Sequence, residues 1–486
     1  MGPGTEPVVL VVDVGTSGVR AATVDRAARL GPIHHLPLRT SSPAPGFVEL
    51  DAADLAAAAL AVARAAAEQA GPVAAVGITN QRATTVVWDR ATGEPVGPAL
   101  GWQDVRTAPL CLALQAQGIR LAPNESATKL GLLLDLVDPD RARDLCFGTI
   151  DTWVAWTLTD RAAHVTDPSN AGVTGLVTPD VGGWADPVLD ALGIPPGVLP
   201  RLVDSSGVVA EATALPGSPP VAGLAGDQQA SLLGQGATEP GLAKLTLGTG
   251  GMLDVCVGGR RPGPERLGPH GTFPVVAWRV GGVTTWGLEA VMLTAGQAVA
   301  WLRDDLGLVP DAAATEELAA GCPDTGDAWF VPALAGLGTP AWDLGARGTL
   351  VGLRPETEPA QVVRAVLEGV AHRSADLLEA AEADAGLAVD HLRLDGGMAA
   401  NRVVVQAVAD ATQRPVEVAP VTEATTLGAA FLAGMAVGLW SGFEEVAATW
   451  APARVVTPGP VPDRERWREA CERARAWVPE LSAIHF

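Results

Sequence analysis

Apolar residues at the start of the chain fall in short runs separated by turn chemistry. Residues 8–12 form an unbroken apolar run, Gly15-Thr16-Ser17-Gly18 is a turn, and residues 19–24 return as a second strand. This predicts a β-hairpin over residues 7–25. Residues 55–69 are Ala-rich and helical, stopped by Gly71 and Pro72, and short strands are expected at 73–79 and 84–88. Strands and helices keep alternating as far as Leu233, which predicts an α/β fold with a mixed or parallel sheet.

The opening pattern then recurs. Residues 242–247 read as a strand, Gly248-Thr249-Gly250-Gly251 as a turn and residues 252–257 as a strand. Two strand–Gly-Thr–Gly–strand devices about 230 residues apart imply two domains on one plan. We assign residues 7–236 to the first domain, 241–441 to the second and 442–486 to a carboxy-terminal extension, with the Pro- and Gly-containing stretch 234–241 as the connector. The tail beyond Trp450 is expected to be partly helical and to pack on the outside. The uncharged run 424–443 carries Gly434 and Gly438 at GxxxG spacing. Its small residues and flanking acids favour a buried, closely packed helix over one that spans a membrane.

Composition narrows the function. The 486-residue chain has a formal charge of −22, which opposes nucleic acid and anionic membrane surfaces as partners. Its five Cys residues form no CxxC pair and read as reduced, mostly buried thiols. Met1–Pro7 lacks the basic segment of an export signal, so a cytoplasmic location is expected.

Three Gly-bearing turns are candidate phosphate cradles. In Asp13-Val14-Gly15-Thr16 the backbone N–H groups and the hydroxyls of Thr16 and Ser17 can face an anion, and Arg20 can add charge. Asp13 beside a phosphate implies a divalent cation between them, most simply Mg²⁺. Gly248-Thr249 and Asp395-Gly396-Gly397, the latter before a helix starting near Asn401, are the others. Each alone could be a plain tight turn. There is no Walker loop, nucleophile elbow or HExxH motif.

Taken together, these residues resemble the FGGY carbohydrate kinases, and among them the glycerol kinases, from about Val8 to about Gly442. The matching blocks include Asp13-Val14-Gly15-Thr16-Ser17, Gly77-Ile78-Thr79-Asn80-Gln81-Arg82, Trp102-Gln103, Gly226-Asp227-Gln228-Gln229, Gly248-Thr249-Gly250, Trp301-Leu302-Arg303-Asp304 and Asp395-Gly396-Gly397. The resemblance implies a duplicated, actin-like (ribonuclease H-like) ATPase fold with a deep interdomain nucleotide cleft. It implies ATP as phosphoryl donor, Mg²⁺ at Asp13, and nucleotide contacts at Thr16, Ser17, Arg20, Gly248, Thr249, Gly296, Gly397 and Asn401. Asp227 would be the catalytic base, as a carboxylate can orient a hydroxyl and take its proton. Arg82, Trp102, Gln228, Asn124 and Met252 would meet the acceptor.

The departures gather in the acceptor pocket. Ala83 stands where glycerol kinases carry an acid, Asn124 where they carry Tyr, and Met252 at a second aromatic position. Glu125 could supply an acid from another side or receive an ammonium group. The acceptor is therefore a small polyol or sugar, with glycerol the best single choice and other polyols, ketoses or amino-polyols as alternatives. A nucleotide-dependent regulatory protein without an acceptor is the alternative of another class. A homo-oligomer is compatible with the family.

Overall fold

The computed structural model describes residues 6–263 and 266–483. Residues 1–5, most of the stretch read for an export signal, lie outside the described residues.

The amino-terminal hairpin forms as expected, from β1 (Val8–Val14) and β2 (Gly18–Val24). β1 is buried almost throughout, which explains why its side chains are apolar on both faces. β3 (His34–Pro37) pairs with β2. Helix α1 (Ala52–Gln69) is capped by the Asp51 carboxylate, which accepts from two backbone N–H groups of the first turn. β4 (Val73–Asn80) runs parallel to β1. β5 (Ser206–Glu211) and β6 (Pro220–Gly226) follow, and β6 runs parallel to β4. Helix α2 (Asp227–Gly234) leaves directly from β6.

The second half repeats this scheme. β7 (Ala243–Leu247), β8 (Gly251–Gly258), β9 (Phe273–Val280) and β10 (Val283–Met292) are antiparallel neighbours in the order β7-β8-β10-β9. Helix α3 (Pro359–Ala385) packs on β8 and β10. β11 (Leu392–Asp395) adds parallel to β7. Helix α4 (Arg402–Thr412), β12 (Val416–Val418), helix α5 (Ala424–Ala436) and the edge strand β13 (Arg454–Val456) complete it. The first half has the order β6-β4-β1-β2-β3 and the second β12-β11-β7-β8-β10, the same arrangement twice. A single pairing of Ser206 with Val280 joins them into one sheet of 13 strands.

The run 424–443 is a buried helix followed by a turn, and among the described residues no helix is long and apolar enough to cross a membrane. The GxxxG pair is not its contact. Gly438 lies beyond the helix at φ +76°, and Gly434 faces the Trp440 ring. Close approach is made instead by Gly428 and Gly234: a Cβ on either would lie 1.8 Å from a backbone oxygen, of Ala230 and Ala424 respectively. Helix α5 packs on β1, β4 and β6, so an element late in the chain closes the core of the first half.

The tail is partly helical and packs against the second half through one apolar face, with most of its helix exposed. Its helix, Arg464–Ala474, buries Trp467 completely, with the ring stacked on His372 and the indole N–H donating to Asp376. A Trp and two Ala residues at helical spacing outweigh the charged majority. All five Cys residues are free, and four are buried.

Candidate active site

The parallel strands β1, β4 and β6 end side by side, at Asp13-Val14, Asn80 and Gly226, and hand the chain to the residues of interest. Asp227 is the first residue of α2, yet its side chain does not cap that helix beyond accepting from the neighbouring Gln228 N–H. Its carboxylate lies 3.4 Å from Arg82 Nε, and Arg82 makes a 2.7 Å ion pair with Glu289 of β10. Burial raises the Asp227 pKa above the ordinary carboxylate range, and Arg82 and Lys244 pull it back. Burial works against the Arg82 charge, but Glu289, Asp227 and Asp254 outweigh it and keep the guanidinium protonated. Arg82 Nη1 is buried and unpartnered within the protein, an unspent donor beside the carboxylate.

Gln228, next to Asp227, accepts from Lys244 Nζ at 2.6 Å. Trp102 is 36 % exposed, and its indole N–H donates to Thr16 Oγ1 at 3.1 Å, so the first Gly turn and the aromatic wall touch. Asn124 is exposed and Met252 half-buried. Ala83 is buried in the left-handed region at φ +60°. Its carbonyl takes hydrogen bonds from Ser126 and from the buried ammonium of Lys129. Glu125 is not free for a ligand: it accepts from Ala122 N and pairs with Arg266.

Of the residues expected to meet the nucleotide, Thr16 and Ser17 occupy the β1–β2 turn, and Arg20 reaches across to Glu423 at 3.2 Å. The matching turn, Gly248-Thr249, lies against Gly296, whose N–H donates to the Gly248 carbonyl at 2.8 Å. A Cβ on Gly296 would come within 2.6 Å of that carbonyl, and one on Gly396 within 2.4 Å of the Leu247 carbonyl, so the glycines let three backbone segments converge. Gly397 is exposed, with open space where a side chain would project. Asn401 caps α4 through Oδ1, which accepts from Val403 and Val404 N–H.

Asp13 is 8 % exposed. Burial raises its pKa to about 7 against the pull of Arg20, with the Asp227 and Glu423 charges adding to the rise. A buried carboxylate facing two other acids and one partly exposed guanidinium suits a divalent cation. Among the described residues no group of three or more His, Cys, Asp or Glu could hold an ion, so phosphate oxygens would have to complete its shell.

The sequence reading passed over Lys244, Asp254 and Glu289. All three are buried, on three adjacent strands of the second half; Lys244 reaches Gln228, Glu289 reaches Arg82, and Asp254 pairs with Lys244. Their signal was a charge inside each of three otherwise apolar strands.

The family model for the amino-terminal domain of the FGGY family of carbohydrate kinases matches residues 8–234, and that for the carboxy-terminal domain residues 243–437. The chain is 43% identical to a glycerol kinase of Bordetella parapertussis over 96% of this chain and 97% of that one. It is 42% identical to a glycerol kinase of Aromatoleum aromaticum over 97% and 99%. The structure of Plasmodium falciparum glycerol kinase with ADP superimposes with a TM-score of 0.89 at 26% identity, covering 100% of both chains. A gluconate kinase from Lactobacillus acidophilus, at 20% identity and a TM-score of 0.85, shares the fold. With the same strand order twice in its sheet and both family models matched along nearly its whole length, the chain belongs to the FGGY family of carbohydrate kinases.

Proposed function

We propose that the chain transfers the γ-phosphoryl group of ATP to a terminal hydroxyl of glycerol, giving glycerol 3-phosphate and ADP. One observation carries the reading: the Asp227 carboxylate is held at the strand ends beside an unspent Arg82 donor, in reach of residues from both halves. The full-length similarity to glycerol kinases supports glycerol as the acceptor.

Asp227 accepts the hydroxyl proton as the acceptor oxygen bonds to phosphorus and the bond from phosphorus to the β,γ-bridging oxygen breaks. A raised pKa makes its carboxylate a stronger base for that proton. Arg82 and Gln228 hold the remaining hydroxyls, and Trp102 walls the pocket. Thr16, Ser17 and Arg20 face the phosphates from one half, and Gly248 and Thr249 from the other. Gly296, Gly397 and the capped start of α4 at Asn401 cradle the nucleoside. Mg²⁺, held by Asp13 and phosphate oxygens, would supply charge neutralisation. Asn124 and Met252 complete the acceptor wall. We place the enzyme in the cytoplasm.

A coupled ADP-release assay over glycerol, dihydroxyacetone, tetritols, pentitols, ketopentoses and amino-polyols tests this. Glycerol is expected to give the highest kcat/KM. With Glu125 taken by Arg266, amino-polyols should gain nothing. ADP release indifferent to every acceptor would contradict the proposal and favour a regulatory ATPase.

A further inference from the structure

We propose that Lys244 is a positioning residue for the acceptor site, fixing which end of the Gln228 amide faces the substrate. The inference rests on the reading above that Gln228 meets the acceptor.

Lys244 lies on β7 and is fully buried. Its ammonium has three N–H donors and no acceptor. Three oxygens surround it: Gln228 Oε1 at 2.6 Å, Thr246 Oγ1 at 3.0 Å and Asp254 Oδ2 at 2.9 Å. The first two are hydrogen bonds and the third is an ion pair. Because an ammonium can only donate, the amide atom facing it must be oxygen, and the NH₂ of Gln228 points away. An amide flip would set N–H against N–H and leave Lys244 one acceptor short in a buried site. The amide orientation is thus imposed by chemistry.

The consequence for recognition is specific. The site then offers two kinds of donor, Gln228 Nε2 and Arg82 Nη1, and one base, Asp227. That set suits two hydroxyl oxygens that accept and a third hydroxyl that gives up its proton. The residues holding both donors come from one row in the second half. Lys244 lies directly opposite Asp254, and Asp254 opposite Glu289, across β7, β8 and β10. Directly opposed residues share a face of the sheet. Lys244 holds Gln228 at one end of the row and Glu289 holds Arg82 at the other. Asp254 between them is raised in pKa by burial and drawn down by Lys244.

The test is steady-state kinetics of the paired variant Lys244→Met with Asp254→Leu. It removes both charges together, so no buried acid is left without its cation. The KM for glycerol is expected to rise about tenfold or more, as for a site whose hydrogen-bonding group is misaligned. The KM for ATP should stay within about twofold, and kcat should fall less than the glycerol KM rises. An unchanged glycerol KM in the folded variant, or equal rises in both KM values, would overturn the proposal. A crystal structure of the parent enzyme with glycerol provides a second reading that no folding defect can affect. Lys244 Nζ should remain on one end of the Gln228 amide and a glycerol oxygen on the other. Separation of Lys244 from Gln228, or glycerol bound away from the amide, would also overturn it. Glycerol-independent turnover in the parent would remove the acceptor reading itself, and it is seen before any variant is made.

Discussion

Asp227 is half-buried and Asp151 fully buried, and their surroundings give the two carboxylates different work. Asp227 has a guanidinium at 3.4 Å, one backbone donor and residues of both halves around it. Asp151 is sealed inside the first half, where it accepts from the hydroxyls of Thr149 and Thr166. Burial and the neighbouring Asp167 charge raise its pKa to about 7 against those hydrogen bonds. A carboxyl raised in the folded state contributes stability that is complete below its unfolded pKa, near 3.8, and lost as pH climbs through about 7. Replacing Asp151 by Asn should therefore remove part of the fall in stability between pH 5 and pH 8, on the order of 2–4 kcal/mol. Urea unfolding of parent and variant at the two pH values checks it, and an identical pH dependence would refute it. At this scale the sequence was unevenly legible. Asp227 and Arg82 stand in motifs that resemble the family's, so the sequence singled them out. Lys244 and Asp254 stand in no motif, and their meaning depends on a register between strands that no local pattern encodes. Glu125 looked available because its partner, Arg266, lies 141 residues away.

Among the elements, the pair α2 and α5 matters most, since α2 begins with Asp227 and α5 presses on it. The apolar, small-residue run that forms α5 was readable as a buried helix. Which glycines made the contact was not, because spacing cannot say which face a partner covers. At Gly428 a methyl group would meet the Ala230 carbonyl at 1.8 Å, and a backbone atom cannot swing aside. The Gly428→Ala variant should lose about 1–3 kcal/mol of stability, as overpacked cores do, and should lower kcat/KM by shifting α2. The urea midpoint and the ADP-release assay measure the two effects. A variant as stable and active as the parent would show that the helices are less tightly apposed. The left-handed backbone at Ala83 was likewise invisible: only the packed strand end around Lys129 and Ser126 requires it.

At the scale of the whole molecule, the repeated Gly-Thr turns announced a duplicated fold, and the sheet carries it out with the same strand order twice. What the repeat could not announce is the exchange between halves. Helix α5 closes the core of the first half, and the tail beyond the repeats contributes an edge strand and a buried Trp to the second. Ion pairs from Arg20 to Glu423 and from Arg82 to Glu289 bridge the halves. In the proposed reaction, acceptor chemistry depends on one carboxylate, Asp227, whose neighbours come from both halves. The Asp227→Asn variant tests that most directly, measured for glycerol-dependent ADP release and, separately, for ATP binding. The account predicts turnover reduced by at least about 10²-fold with ATP affinity nearly unchanged. Turnover near that of the parent in a variant that still binds ATP would contradict it.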